Sequence, residues 1–293
     1  MDSMNRLSTK RRTTILAALV EGNSIRATCR MTGTAKGTVI RLLESAGWAS
    51  LYYQNEVLVN LPCRRVQCDE IWSFVQAKAK NVPTDHRGEF GYGDVWTWTA
   101  ICADTRLAPT WMVGTRDGYT ARIFIDDLAG RLANRVQLTT DGHRAYLDAV
   151  ERAFGSDIDY AMLVKIYGGD PEDERRHSPP VCIAAEKHRT TGMPDPRHVS
   201  TTYVERQNLT MRMSMRRFTR LTNAFAKKAA NLEHAVALHF MHYNFARPHK
   251  TLTDRAGGYP TTPAMAAGVA DHVWAISEIV ALIEEREAEA ESN

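Results

Sequence analysis

Between residues 65 and 167 the hydrophobic period of the chain switches in a set order, and that order limits the fold more than any other feature. Three stretches, 65–75, 94–103 and 107–115, read as strands, with Asp104-Thr105-Arg106 as a hairpin turn between the second and third. A helical period follows over 121–132, then a short strand at 136–140, a helix at 144–154 and a strand at 160–167. Strands joined by hairpins pair antiparallel, whereas strands separated by a helix pair parallel. The order predicts an α/β fold: one mixed sheet with helices packed on its faces.

That order is the one of a ribonuclease-H-like domain, assigned here to residues 66–252. Ahead of it, residues 10–48 read as three short helices. Ile15, Leu16, Leu19 and Val20 share a face of the first, Ser24 is suited to cap the second, and Gly33 is suited to end it. Thr34 is suited to cap the third, with Val39, Leu42 and Leu43 facing inward and Lys36, Thr38 and Arg41 outward. A short helix, a glycine-containing turn and a second helix with basic and hydroxyl groups near its start form a helix-turn-helix pattern. Residues 1–50 are therefore expected to be a small all-α helix-turn-helix domain that binds DNA through Lys36, Thr38 and Arg41. Residues 51–65 are expected to be a linker. Periodicity disappears from 168 to 200, where five prolines fall, so a long insertion loop is expected there. A long helix is expected from about 202 past Arg220 and another over 231–244. A helical extension over 253–293 follows, its helix expected over 273–289 with Val273, Ile276, Ile279, Val280 and Ile283 on one face.

Composition bounds the function. Hydrophobic residues at 44% and charged residues at 24% of 293 suit a globular chain with a sizeable core. No apolar run approaches the roughly 18 residues of a transmembrane helix. The charged N-terminus has no apolar segment behind it, so no secretory signal is expected, and five scattered cysteines read as reduced thiols of a cytoplasmic protein. The net charge of +3 hides an uneven distribution. Residues 1–50 carry eight Lys/Arg against three Asp/Glu, residues 201–230 seven against Glu205 alone, and residues 281–293 one against five. Two basic islands so far apart in sequence predict two surfaces for a polyanion, most simply nucleic acid.

With 34 acidic residues in the chain, position alone distinguishes three of them. Asp69 lies inside VQCDEIWSFV, a run otherwise built for a buried strand, where an ionised carboxylate is costly unless paired or bound to metal. Asp141 ends the strand VQLTTD, at the strand ends where α/β sheets bind ligands. Glu205 is the lone acid near the start of a basic helix.

Over these positions the chain resembles the DDE transposases of the insertion-sequence-one family. The resemblance spans residues 66–252 and is carried by CDEIWSFV (68–75), WTWTAICADTR (96–106), VGTR (113–116), TTDGHRAY (139–146), YVERQNLTMRMSMRRFTRLTNAF (203–225) and HYNFARPHKTL (242–252). Matched position by position, it implies that Asp69 and Asp141 are the catalytic aspartates and Glu205 the catalytic glutamate, all three metal ligands. It also implies a DNA contact for the basic residue seven positions after that glutamate. This is Arg212, two helical turns along the same face, and Arg216 is assigned to DNA beside it. No CxxC pair is present, so recognition of DNA ends falls to the helix-turn-helix.

The implied chemistry is cleavage of an insertion sequence at its ends and joining of the 3′-hydroxyls to target DNA. Two Mg²⁺ ions about 3.5–4 Å apart, with Mn²⁺ as a substitute, would support an in-line displacement without a covalent protein–DNA intermediate. Double-stranded DNA, element ends and target alike, is the expected partner, with a homo-oligomer in the synaptic complex and a bacterial, nucleoid-associated location. A nuclease or integrase of the same fold, or an inactive DNA-binding regulator derived from a transposase, are the alternatives. Glu70, one residue from Asp69, should point to the opposite face of its strand and is left out of the metal set.

Overall fold

The computed structural model describes residues 6–168, 182–219 and 223–292. Its sheet has six strands: β1 (Arg65–Val75), β2 (Gly93–Cys102), β3 (Trp111–Gly114), β4 (Gln137–Asp141), β5 (Asp159–Tyr167) and β6 (Cys182–Thr191), in the order β3-β2-β1-β4-β5-β6. The hairpin strands β1, β2 and β3 are antiparallel neighbours, while β4 and β5, each following a helix, extend the sheet in parallel from β1. This mixed sheet is compatible with the expected ribonuclease-H-like arrangement.

Strand alternation drives two cores. Val66 and Cys68 of β1 and Trp98, Ala100 and Cys102 of β2 face one side, packing with Phe124 and Leu128 of α4 (Gly118–Arg131) and Tyr146 and Val150 of α5 (Ala145–Phe154). Ile71, Val75, Val95 and Ile101 face the other, against Val204 and Met211 of one long helix (Thr202–Ser214) and Leu232, Val236 and Phe240 of another (Ala229–Met241). Each large aliphatic or phenylalanine side chain so buried contributes about 1.5–3 kcal/mol. Those two helices are called α6 and α7 below. The first core continues into three N-terminal helices, α1 (Thr9–Val20), α2 (Ile25–Thr32) and α3 (Lys36–Val57), through Ile15, Leu16, Val39, Leu42 and Leu43. The C-terminal helix (Ile276–Ser292) buries Ile279, Val280 and Ile283 in the same core. Its acidic end pairs with the basic N-terminus: Glu287 accepts from Arg12 at 3.0 Å and also pairs with Arg6.

Ser24 caps α2 by accepting from the Ala27 N–H at 3.1 Å, and Gly33 ends it in the left-handed conformation, φ +61°. Several sequence expectations need correction. The cap of α3 is Ala35 and makes no side-chain bond, while the Thr34 hydroxyl faces the Thr32 carbonyl. The expected linker 51–65 is helical through Val57, because Ala46, Gly47, Ala49, Ser50 and Gln54 continue one buried face and nothing breaks the helix. Gly47 is where α3 crosses α7: a Cβ there would lie 2.4 Å from the His234 Cβ. The third strand starts at Trp111, not 107. Within the expected loop 168–200, Cys182–Thr191 forms β6, antiparallel to β5. That edge strand is exposed along nearly its whole length, so it has no alternating pattern to read. Residues 169–181, with three of the five loop prolines, lie outside the described residues. The helix expected past Arg220 stops at Ser214, since Met215 is extended (φ −135°, ψ 108°); a 3₁₀ turn, Arg216–Phe218, follows, and Arg220 lies outside the described residues. Among the described residues no helix is long and apolar enough to cross a membrane.

Candidate functional site

The register of the parallel pair builds the site. Cys68 of β1 stands opposite Thr140 of β4, so the next residues, Asp69 and Asp141, come side by side where β4 ends. A third carboxylate joins them: Asp69, Glu70 and Asp141 each place an oxygen so that all lie within 4.8 Å of one another. The expectation that Glu70 points away from the site is half right. Asp69 hydrogen-bonds toward α6 and Glu70 toward Arg116, just after β3, as alternation requires. Alternation fixes only the direction of Cβ, and the longer glutamate still brings its carboxylate to the cluster.

Each carboxylate is oriented. Asp69 accepts from its neighbour's N–H (Glu70) at 2.9 Å and from the Asn208 amide at 2.8 Å. Asn208 is in place because Gln67, two residues before Asp69, accepts from the Tyr203 and Val204 N–H groups at 2.8 and 3.2 Å and fixes the start of α6 on β1. Asp141 accepts from the His143 N–H at 2.9 Å. Arg116 donates Nε to Glu70 at 3.1 Å and reaches Asp141 at 3.5 Å, with its guanidinium 4.7 Å from the centre of the Trp96 ring. The sequence reading missed this arginine as a site residue. Its signal was a lone base directly after a strand that ends beside the acids, inside the VGTR segment.

Electrostatically the cluster is short of positive charge. Burial, then the nearby Asp141 carboxylate, push Asp69 up to about 7 and Glu70 up to about 8. Glu70 Oε1 is buried and makes no hydrogen bond of good geometry, although the Tyr146 hydroxyl is close enough to hold its pKa down somewhat. Three hard oxygen donors, one of them buried and unsatisfied, fit a divalent cation such as Mg²⁺ or Mn²⁺. The neighbouring Cys68 thiol is fully buried, and burial with the adjacent carboxylates raises its pKa well above normal, so it offers no nucleophile.

Glu205 sits in the first turn of α6, outside that 4.8 Å group. Its Oε1 accepts from Thr201 and from Lys165 of β5, and its charge is near enough to help raise Asp69. Arg212 is half-buried farther along α6, and Arg216 is exposed in the turn beyond it. Lys36 and Arg41 are exposed on α3, and Arg41 approaches the half-buried Thr38 hydroxyl at 3.4 Å. The two basic islands, expected as two surfaces, meet: Lys36 and Arg216 line the same cavity, between the N-terminal helices and the α6–α7 connection. His239 is buried on α7 within reach of the Gln207 amide at 3.2 Å.

No family model and no curated protein matches this chain. Among solved structures the chain is similar to a cryo-EM structure of a piggyBac transposase synaptic complex with hairpin DNA. The TM-score is 0.38 and the identity 10%, over 98% of this chain and 74% of that one. A likeness of that degree leaves the fold and the chemistry to be argued from the residues themselves.

Proposed function

We propose that this chain is a DDE-type DNA transposase, a polynucleotidyl transferase whose acidic site lies at the junction of β1, β4 and α6. The observation that carries this reading is the convergence of Asp69, Glu70 and Asp141 on one point of the sheet, with Glu70 buried and the group under-neutralised. The resemblance to the insertion-sequence-one family, resting on the segments around these residues, supports the same reading. Asp69, Glu70 and Asp141 would hold Mg²⁺, with Glu205 adding a ligand for a second ion. When bound, the metal supplies Lewis-acid activation of the attacking hydroxyl and charge stabilisation of the displaced oxygen.

The protein's own groups do the positioning. Asn208 and the Glu70 N–H hold Asp69 in one orientation, and the His143 N–H holds Asp141. Arg116 offsets part of the negative charge and keeps Glu70 facing the cluster. Lys165 neutralises Glu205 and holds it beside the site. The α2–turn–α3 unit is read as the helix-turn-helix, with Lys36, Thr38 and Arg41 on DNA, and Arg212 and Arg216 contact the strand near the acids. Assembly of several copies on paired DNA ends belongs to the same proposal.

A strand-transfer assay with labelled element ends and target plasmid, in Mg²⁺ against EDTA, tests it. Joined products that need Mg²⁺ are the expected result. Cleavage without joining assigns the chain to nucleases instead, and binding without either reaction assigns it to regulators.

A further inference from the structure

The cavity shared by the two basic islands has a volume of about 740 Å³. That is the size of pockets that enclose a small ligand, and too small for a duplex. It is bounded by α1–α3 on one side and by the end of α6, the following turn and α7 on the other. The two sides are held close at Gly22, whose φ of +82° suits glycine. A Cβ there would lie 3.2 Å from the Met213 and Ser214 carbonyl oxygens.

Its lining combines three chemistries. Arg26, Lys36, Arg216, Arg217 and Lys227 bring positive charge, and no carboxylate lines it among the described residues. Leu19, Ile25, Ile40, Leu43 and Leu238 form an apolar wall, and the Phe225 ring adds an aromatic face. Asn223 and Asn231 contribute carboxamides that make no side-chain hydrogen bond among the described residues. Arg217 stands out. It forms no ion pair or hydrogen bond among the described residues, and it keeps part of its surface open to the cavity. Surrounding protein pulls its pKa down to about 10, which leaves it charged at neutral pH. A desolvated cation without a counter-charge is costly unless a ligand supplies one.

Phosphate, a flat apolar ring and a polar ring edge are what these three chemistries would recognise together, and a nucleotide carries all three. We infer that this cavity takes an unpaired nucleotide of a DNA strand, its phosphate on Arg217 and its base between the apolar wall, Phe225 and the asparagine amides. The inference rests on the reading of the chain as a DNA-acting enzyme. Its test works without metal, so it is read independently of the acidic site.

Fluorescence anisotropy in EDTA with the full chain, a 12-nucleotide single strand and its 12-base-pair duplex provides that test. Arg217→Met is expected to weaken the single strand at least tenfold and the duplex less than twofold. Arg217→Lys should recover part of the loss, since Lys lacks the bidentate geometry for phosphate. Asn231→Ala, which leaves every charge in place, should weaken the single strand by a smaller factor and make its affinity less dependent on base. Without DNA, Arg217→Met should melt no lower than the parent, because it removes a charge with no ion-pair partner among the described residues. Unchanged single-strand affinity in both Arg217→Met and Asn231→Ala overturns the inference. Equal losses for single strand and duplex also overturn it, since they mark an ordinary backbone contact. Thymidine monophosphate should compete with the strand better than inorganic phosphate does, because it brings a base as well; competition no better than phosphate means that the base adds nothing and overturns the inference. Monophosphate binding tighter than the strand makes the cavity a free-nucleotide site and overturns the DNA assignment.

Discussion

The acidic cluster and the basic cavity hold opposite versions of one problem: Glu70 in the first and Arg217 in the second are ionisable groups withdrawn from water with little counter-charge among the described residues. In the cluster, two aspartates and a glutamate project from adjacent strands, and among the described residues Arg116 ion-pairs with two of the three carboxylates, Glu70 and Asp141. Short side chains on a sheet have little freedom, so the charge cannot move away, and burial with the neighbouring carboxylates instead raises the pKa of Asp69 and Glu70. In the cavity, long cationic side chains come from three separate stretches of chain, and Arg217 keeps its proton and its charge. A rigid site of hard oxygens suits a small ion. A looser, mixed wall suits a larger ligand that brings its own negative charge.

Substitutions that touch one region and spare the other sharpen this contrast. The largest effect is expected from Asp69→Asn or Asp141→Asn, each of which keeps shape and removes a metal ligand. Strand transfer should fall by more than about a hundredfold, beyond the loss seen on removing partners of metal ligands, while single-strand affinity in EDTA stays within twofold. Glu205→Gln should lose transfer as well. Near-normal transfer in any of the three removes that residue from the assignment.

Gly47→Ala should act on the cavity side by forcing α3 away from α7 at His234. Overpacking at such a crossing costs about 1–3 kcal/mol, and urea unfolding should show it. A variant as stable as the parent would mean that the two helices separate without cost. Glu70→Gln comes next: calorimetry should find Mn²⁺ bound about tenfold more weakly. Affinity equal to the parent's would leave only the two aspartates in the cation site. The smallest effect belongs to Ser24→Ala, which removes the side-chain cap of α2 beside the cavity. It should lower stability by about 1 kcal/mol and leave Mn²⁺ affinity unchanged.

What the sequence disclosed follows from the same contrast. The strand and helix order, and the prominence of Asp69 and Asp141, were legible because a buried strand is apolar and a charge inside it stands out. Glu70 was set aside because alternation describes where a side chain starts and not where two methylenes take its carboxylate. β6 was invisible because an exposed edge strand is held by backbone pairing with β5 and needs no apolar face. The extension of α3 through Val57 was missed because WASLYYQNEV mixes polar and aromatic residues, although Ala49, Ser50 and Gln54 turn to one buried side. The cavity could not be read at all. Its parts lie around Arg26, Lys36 and Arg217, and only the packing of α1–α3 against the α6–α7 connection brings them together.

The decisive test of a cation site at Asp69, Glu70 and Asp141 is the melting temperature followed from pH 6.5 to 8.5, with and without saturating Mn²⁺. In the folded chain Asp69 and Glu70 titrate near 7 and 8, against about 4 when unfolded. The folded state therefore binds their protons more tightly. That stabilisation is complete below about pH 4 and is lost as the pH rises through 7 and 8. Mn²⁺ needs the ionised carboxylates, so its stabilisation grows over the same interval. The metal-free protein is expected to melt lower as the pH rises, Mn²⁺ should cancel or reverse that fall, and Asp69→Asn should blunt both effects. Parallel curves with and without Mn²⁺ would contradict a cation site at these three carboxylates.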